Sequence, residues 1–135
     1  MLAAMLLAPG VALAQAGITQ PLTDVPGDVA RGKAVAVNSD LGNCSICHHI
    51  PVAEIPDGAN GDIGPPLDGV GSRLTAAELR QRIVNPKALD PDTLMPAYFT
   101  TEGLTRVQTQ YAGKTILSAQ QVEDLIAFLL TLKGN

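Results

Sequence analysis

The chain has 135 residues, with nine lysines and arginines against thirteen aspartates and glutamates, giving a net charge of −4. That length suggests one domain, and acids and bases are mixed with no basic stripe, which excludes a nucleic-acid-binding surface. There is no tryptophan, and there are two phenylalanines and two tyrosines; large rings usually fill a core, so so small a domain is expected to gain stability from a cofactor, a metal or a disulfide.

The chain opens MLAAMLLAPGVALAQAG. Leu2 to Leu13 is an apolar run followed by small residues. Ala12-Leu13-Ala14 and Ala14-Gln15-Ala16 both fit a secretory cleavage pattern, although a positive n-region is missing. Residues 1–14 are therefore expected to be a signal peptide, cleaved after 14 or 16, with export to the periplasm. The run is short for a membrane span, so no stable span is expected after cleavage. A membrane anchor or a buried helix is the rival reading. Residues 15–27 read as an extended N-terminal arm, and 28–135 as the domain proper.

Asp28 is a good N-cap for a short helix over DVARGKAVAV. Gly32 inside it costs helix stability, so close approach by another element is expected there; a tolerated surface glycine is the plain alternative. Residues 51–71 are rich in Gly, Pro and Asp and form a loop longer than most connections, the kind that wraps something. Thr75 and Glu78 have capping-box spacing at the head of LTAAELRQRIVNP, and Pro86 stops that helix. A second loop, PKALDPDTLMPAYFTTEG, follows. In the last element Ser118 and Gln121 repeat the capping box. Val122, Leu125, Ile126 and Leu129 share one face, Glu123 and Asp124 turn away, and Lys133 and Gly134 close the helix. No repeat and no strong strand is present. The expectation is an all-α fold, three or more helices and long ordered loops around a large flat apolar cofactor.

The two cysteines and two histidines all fall within residues 44–49. Cys44-Ser45-Ile46-Cys47-His48 is C-x-x-C-H, the attachment sequence of c-type haem. Two thiols on one turn reach the two vinyl groups on one porphyrin edge and form thioethers, and His48 then presents imidazole to the iron. Three rival readings are weaker. A thioredoxin-like pair normally sits beside a βαβ pattern. A structural zinc needs four suitably spaced ligands. A simple disulfide is possible in an exported protein.

His49, next to His48, lies on the wrong side of the ring to be a second ligand. Met95 is the only methionine after the leader. It sits in the loop TLMPAYF with a rigid proline behind it, and is expected to be the sixth ligand; a gap-filling core methionine is the alternative. His/Met ligation suits electron transfer and leaves no open position for oxygen or peroxide. A ligating imidazole usually donates its other N–H to a carbonyl or carboxylate. Pro65, in IGPPLDGVG, is the candidate carbonyl, with plain turn chemistry as the competing reading. Arg73, Asn85 and Tyr98 could reach the haem surroundings and are given no site role.

These motifs together resemble the class I cytochrome c family along the whole mature length. The matching stretches are GDVARGKAV, C-x-x-C-H at 44–48, GPPL at 64–67, Met95-Pro96 and VEDLIAFLLTL. The resemblance implies that the first and last helices cross with Gly32 against Phe128, and that Pro65 supplies the carbonyl for His48. Ala36 departs from it, since many members carry an aromatic there, which loosens the expected crossing. A narrower resemblance, carried by CSICHHIP, IGPPLDGVGSRL, LRQRIVNPKALDPDTLMPAYF and GKTILSAQQVEDLIAFLLTLK, is to the SoxX family, monohaem cytochrome subunits of the sulfur-oxidation (Sox) system.

That resemblance implies one covalent haem c and a heterodimer with a SoxA-like cytochrome subunit. It further implies work on a SoxYZ carrier, whose cysteine is oxidatively joined to thiosulfate, and a small cytochrome c as onward acceptor. No cysteine is left over for the sulfur chemistry, so this chain is expected to be the electron-accepting, non-sulfur-binding subunit of an L-cysteine S-thiosulfotransferase. The alternative is a free-standing cytochrome shuttling electrons to an oxidase. A subunit needs a large permanent interface and a shuttle only a small one. The arm and the segment AYFTTEGLTRVQTQYAG exceed a minimal cytochrome and are where an interface is expected. A haem enzyme or gas sensor would require Met95 to be off the iron.

Overall fold

The computed structural model describes residues 17–56 and 58–134; the proposed signal peptide lies outside them. Helix α1, Val29–Val37, starts where the Asp28 carboxylate accepts the Arg31 N–H at 2.8 Å. A short α2, Val70–Arg73, follows the Gly/Pro-rich loop. Helices α3, Ala76–Val84, and α4, Ala119–Thr131, both open on complete capping boxes, Thr75/Glu78 and Ser118/Gln121, which satisfy N–H groups that a helix start leaves without partners. Single 3₁₀ turns occupy Cys44–Ile46, Pro86–Ala88 and Thr109–Tyr111. No strand forms among the described residues; the one bridge pairs Val70 with Lys133.

α1 crosses α4. A Cβ on Gly32 would stand 1.9 Å from the Asp124 carbonyl oxygen and 2.9 Å from the Phe128 Cβ, so only glycine lets the backbones meet. Ala36 is fully buried, and the contact is tight although an aromatic ring is missing there. The apolar face of α4 (Val122, Leu125, Ile126 and Leu129) forms the middle of the core, with Val35 of α1 and Leu79 and Ile83 of α3 around it.

One expectation needs correction. Glu123 and Asp124 do not face solvent; both are buried. The Asp124 carboxylate accepts from Arg31 at 2.8 and 3.0 Å, from the Asp28 N–H at 2.8 Å and from Gln120 at 3.0 Å. Glu123 takes a bidentate pair from buried Arg80 at 2.7 and 2.9 Å. A period-3.6 reading assigns acids to water because it cannot see that other elements cover that side. The arm is described from residue 17 onward. It is strapped to the body: the Ile18 carbonyl accepts from Arg80 at 2.6 Å, the Leu22 N–H donates to Glu123 at 3.0 Å, and Thr23 donates to Gln120 at 2.8 Å.

After Tyr98 the chain makes a largely exposed excursion over residues 99–116 and returns where the Leu117 N–H donates to the Tyr98 carbonyl at 3.0 Å. Among the described residues no helix is long and apolar enough to cross a membrane.

Candidate haem-binding site

The attachment turn is built by the backbone. Asn43 adopts a left-handed φ of 46°, a conformation Asn tolerates better than most residues, and turns the chain into the 3₁₀ turn. The N–H groups of Cys47 and His48 then both donate to the Cys44 carbonyl, at 3.2 and 2.9 Å. Two thiols and one imidazole thus leave a single turn. The Gly/Pro-rich loop runs back alongside: Gly61 donates to the Ser45 carbonyl and Gly64 to the Cys47 carbonyl, each at 2.7 Å, and Leu67 to the His49 carbonyl at 2.9 Å.

His48 is held by that loop. Its Nδ1 lies 2.6 Å from the Pro65 carbonyl oxygen. A carbonyl only accepts, so Nδ1 carries the hydrogen and Nε2 keeps its lone pair for a metal. Gly64 forms a cradle: a Cβ there would stand 2.4 Å from the imidazole Cε1.

Cys44 and Met95 both border the core cluster around α4. Tyr98 links their segments, its buried hydroxyl donating to the Gly42 carbonyl at 2.7 Å, two residues before Cys44. Its backbone N–H donates to the Ile83 carbonyl at 3.0 Å, anchoring the methionine loop on α3. Burial pushes the Cys44 thiol up to about 12, with Cys47 beside it adding to the rise. That speaks against the thioredoxin-like reading, which requires a thiol lowered toward neutrality.

The sequence reading left Tyr98 without a role, because its contact with Gly42 joins segments 56 residues apart. It also left His49 unassigned. His49 Nδ1 stands 2.6 Å from Asp68 Oδ2, both half-exposed, and this contact holds the Asp68 carboxyl below its usual range. Arg73 donates to the Pro66 and Asp68 carbonyls and stiffens the loop behind Pro65. Asn85 Oδ1 is buried with no partner among the described residues.

These residues fit a c-type haem: two thiols three residues apart on one turn, an imidazole with a fixed tautomer, and a glycine where a side chain would strike that imidazole. With its helical core, the site defines a class I c-type cytochrome. The cytochrome c family model matches residues 29–133, and the chain belongs to that family. Membership implies covalent haem c at Cys44 and Cys47. More particularly, the chain is similar to one in the crystal structure of SoxXA from P. pantotrophus, with 41% identity and a TM-score of 0.73. The match covers 84% of this chain and 88% of that chain, which bears out the narrower resemblance to SoxX. Among curated proteins nothing matches.

Proposed function

We propose that this chain is the electron-transfer subunit of a SoxXA-type complex that joins thiosulfate to a cysteine of a SoxYZ carrier. The observation that carries the reading is the 41% identity to the SoxXA chain over 84% of this sequence. An exported leader over residues 1–14, an arm at 15–27 and a cytochrome domain at 28–135 complete the proposal, with the periplasm as its compartment.

Haem c, when bound, supplies a one-electron couple. Cys44 and Cys47 would hold it covalently, and His48 and Met95 are the residues that would ligate its iron. The Pro65 carbonyl accepts the Nδ1 hydrogen of His48, which fixes the imidazole plane and raises its basicity. Tyr98 keeps the Met95 loop in register with the attachment turn. Joining thiosulfate to a thiol releases two electrons. One haem would take them one at a time, so an onward acceptor, a small cytochrome c, is needed; the SoxA-like partner is supported by the similarity to the SoxXA chain. Cys44 and Cys47 are the only cysteines of the chain, so the sulfur stays on the partner.

The test is native purification from thiosulfate-grown cells followed by haem staining. A stoichiometric second cytochrome is expected. A clean monomer exchanging electrons quickly with an oxidase would instead mean a free shuttle.

A further inference from the structure

Tyr98 is buried, and each of its polar groups is bound to a different segment. The backbone N–H donates to the Ile83 carbonyl near the end of α3, and the backbone carbonyl accepts from Leu117 just before α4, each at 3.0 Å. The hydroxyl donates to the Gly42 carbonyl at 2.7 Å. The first two bonds hold Tyr98 on the side of the chain that carries Met95. The third crosses to the side that carries the attachment turn.

The acceptor is fixed. Gly42 N–H donates to the Val35 carbonyl of α1 at 3.0 Å, and a Cβ on Gly42 would stand 2.7 Å from that oxygen and 3.2 Å from the Cys44 Sγ. Met95 has no such anchor of its own, since its backbone N–H meets only the Thr93 hydroxyl, at 3.3 Å, within the same loop. Between Met95 and Tyr98 lie Pro96, whose ring fixes φ, and buried Ala97, which together leave little hinge. Among the described residues, the phenol bond is the only hydrogen bond between residues 89–98 and residues 38–69. Burial pushes the Tyr98 phenol above the usual tyrosine range, so the donor keeps its hydrogen at any ordinary pH.

We infer that the Tyr98 hydroxyl is a latch on the sixth ligand: its bond to Gly42 sets how readily Met95 gives up the iron, and so how well the iron is closed to outside ligands. The inference rests on the reading of Met95 as that ligand. Tyr98 is a positioning residue, acting through the loop and not on the iron, and no covalent step is involved.

Stopped-flow mixing of the oxidised, haem-loaded protein with imidazole tests it, read as loss of the far-red absorption band of sulfur-ligated ferric haem. Tyr98→Phe keeps the ring and removes only the donor. It should speed displacement by about three- to tenfold, the worth of one neutral hydrogen bond, and leave the resting spectrum in place. Thr75→Ala lowers stability by a comparable amount through the α3 cap, at the far end of that helix from Ile83, and should leave the rate alone. Fluorotyrosine incorporated in a Tyr111→Phe background, where Tyr98 is the one tyrosine left, is a stronger donor and should slow displacement relative to the same background without fluorine. That arm reads the bond even where Tyr98→Phe holds no haem. The inference is overturned if neither Tyr98→Phe nor fluorination changes the rate. It is equally overturned if Thr75→Ala accelerates displacement as much as Tyr98→Phe, since the effect then follows overall stability. Met95→Ala separates the two readings: it should react far faster than the parent, and an equal rate would remove Met95 from the iron and the inference with it.

Discussion

His48 is positioned by two neighbours acting in different ways: the Pro65 carbonyl accepts its Nδ1 hydrogen at 2.6 Å, and Gly64 leaves room for its ring. Both come from one Gly-Pro pair, because proline fixes φ and glycine removes the Cβ. The thiols can be tested one at a time. Cys44→Ala or Cys47→Ala should lose most covalent haem, read as a faint haem stain on a denaturing gel; a stain of normal strength would refute attachment at that residue. Met95→Ala should lower the reduction potential by a sizeable part of the ~0.8 V that axial ligands span, and should let the iron bind carbon monoxide. An unchanged potential would assign the sixth position to another residue. C-x-x-C-H was plain in the sequence because its chemistry is local. The Tyr98–Gly42 link spans 56 residues and left no local mark.

At the scale of elements, the helix starts were legible and one helix face was not. Asp28, Thr75 and Ser118 each cap the helix that follows them, since a cap is a contact within three residues. The burial of Glu123 and Asp124 was not legible, because their partners Arg80 and Arg31 lie 43 and 93 residues away. Removing one member of a buried pair leaves the other charge uncompensated, so the Arg80–Glu123 contact ties α3, α4 and the arm into one unit. The α1–α4 crossing gives a prediction with a diagnostic sign. In an exposed helix interior Gly→Ala stabilises by about 1 kcal/mol. Gly32→Ala should instead destabilise by about 1–3 kcal/mol, because the new Cβ would meet the Asp124 carbonyl at 1.9 Å. Chemical denaturation measures it, and a stabilised variant would show that the helices part without cost.

Across the whole molecule, the arm, α1, α3 and α4 meet at two acids of one helix. Hydrogen bonds from Arg31 hold the Asp124 carboxyl down to about 2, against the opposing effect of burial. For Glu123 burial pushes upward, but the bonds from Arg80 and Leu22 outweigh it and the net shift is downward. Carboxylates depressed in the folded state stabilise it above their unfolded value near pH 4, and that stability is lost as pH falls toward 2. Denaturation midpoints should therefore drop between about pH 4 and pH 2, with Asp124 contributing on the order of 2 kcal/mol. Asp124→Asn should start lower at neutral pH and lose less on acidification. Parallel curves for the two proteins would mean that Asp124 does not carry the acid response. The same bonds strap the arm across α3 and α4, a placement that the sequence, showing only an extended segment, did not carry.

By itself the sequence determined the attachment motif, the helix caps, the Gly32 position and the all-α class, because each depends on residues close together or on a period within one element. The tertiary structure alone decided which acids are buried, where the arm lies, and how Tyr98 joins the methionine loop to the attachment turn. Those are meetings between segments far apart in the chain. Their geometry depends on how the helices cross and how the long loops close, and no pattern in a single stretch encodes it.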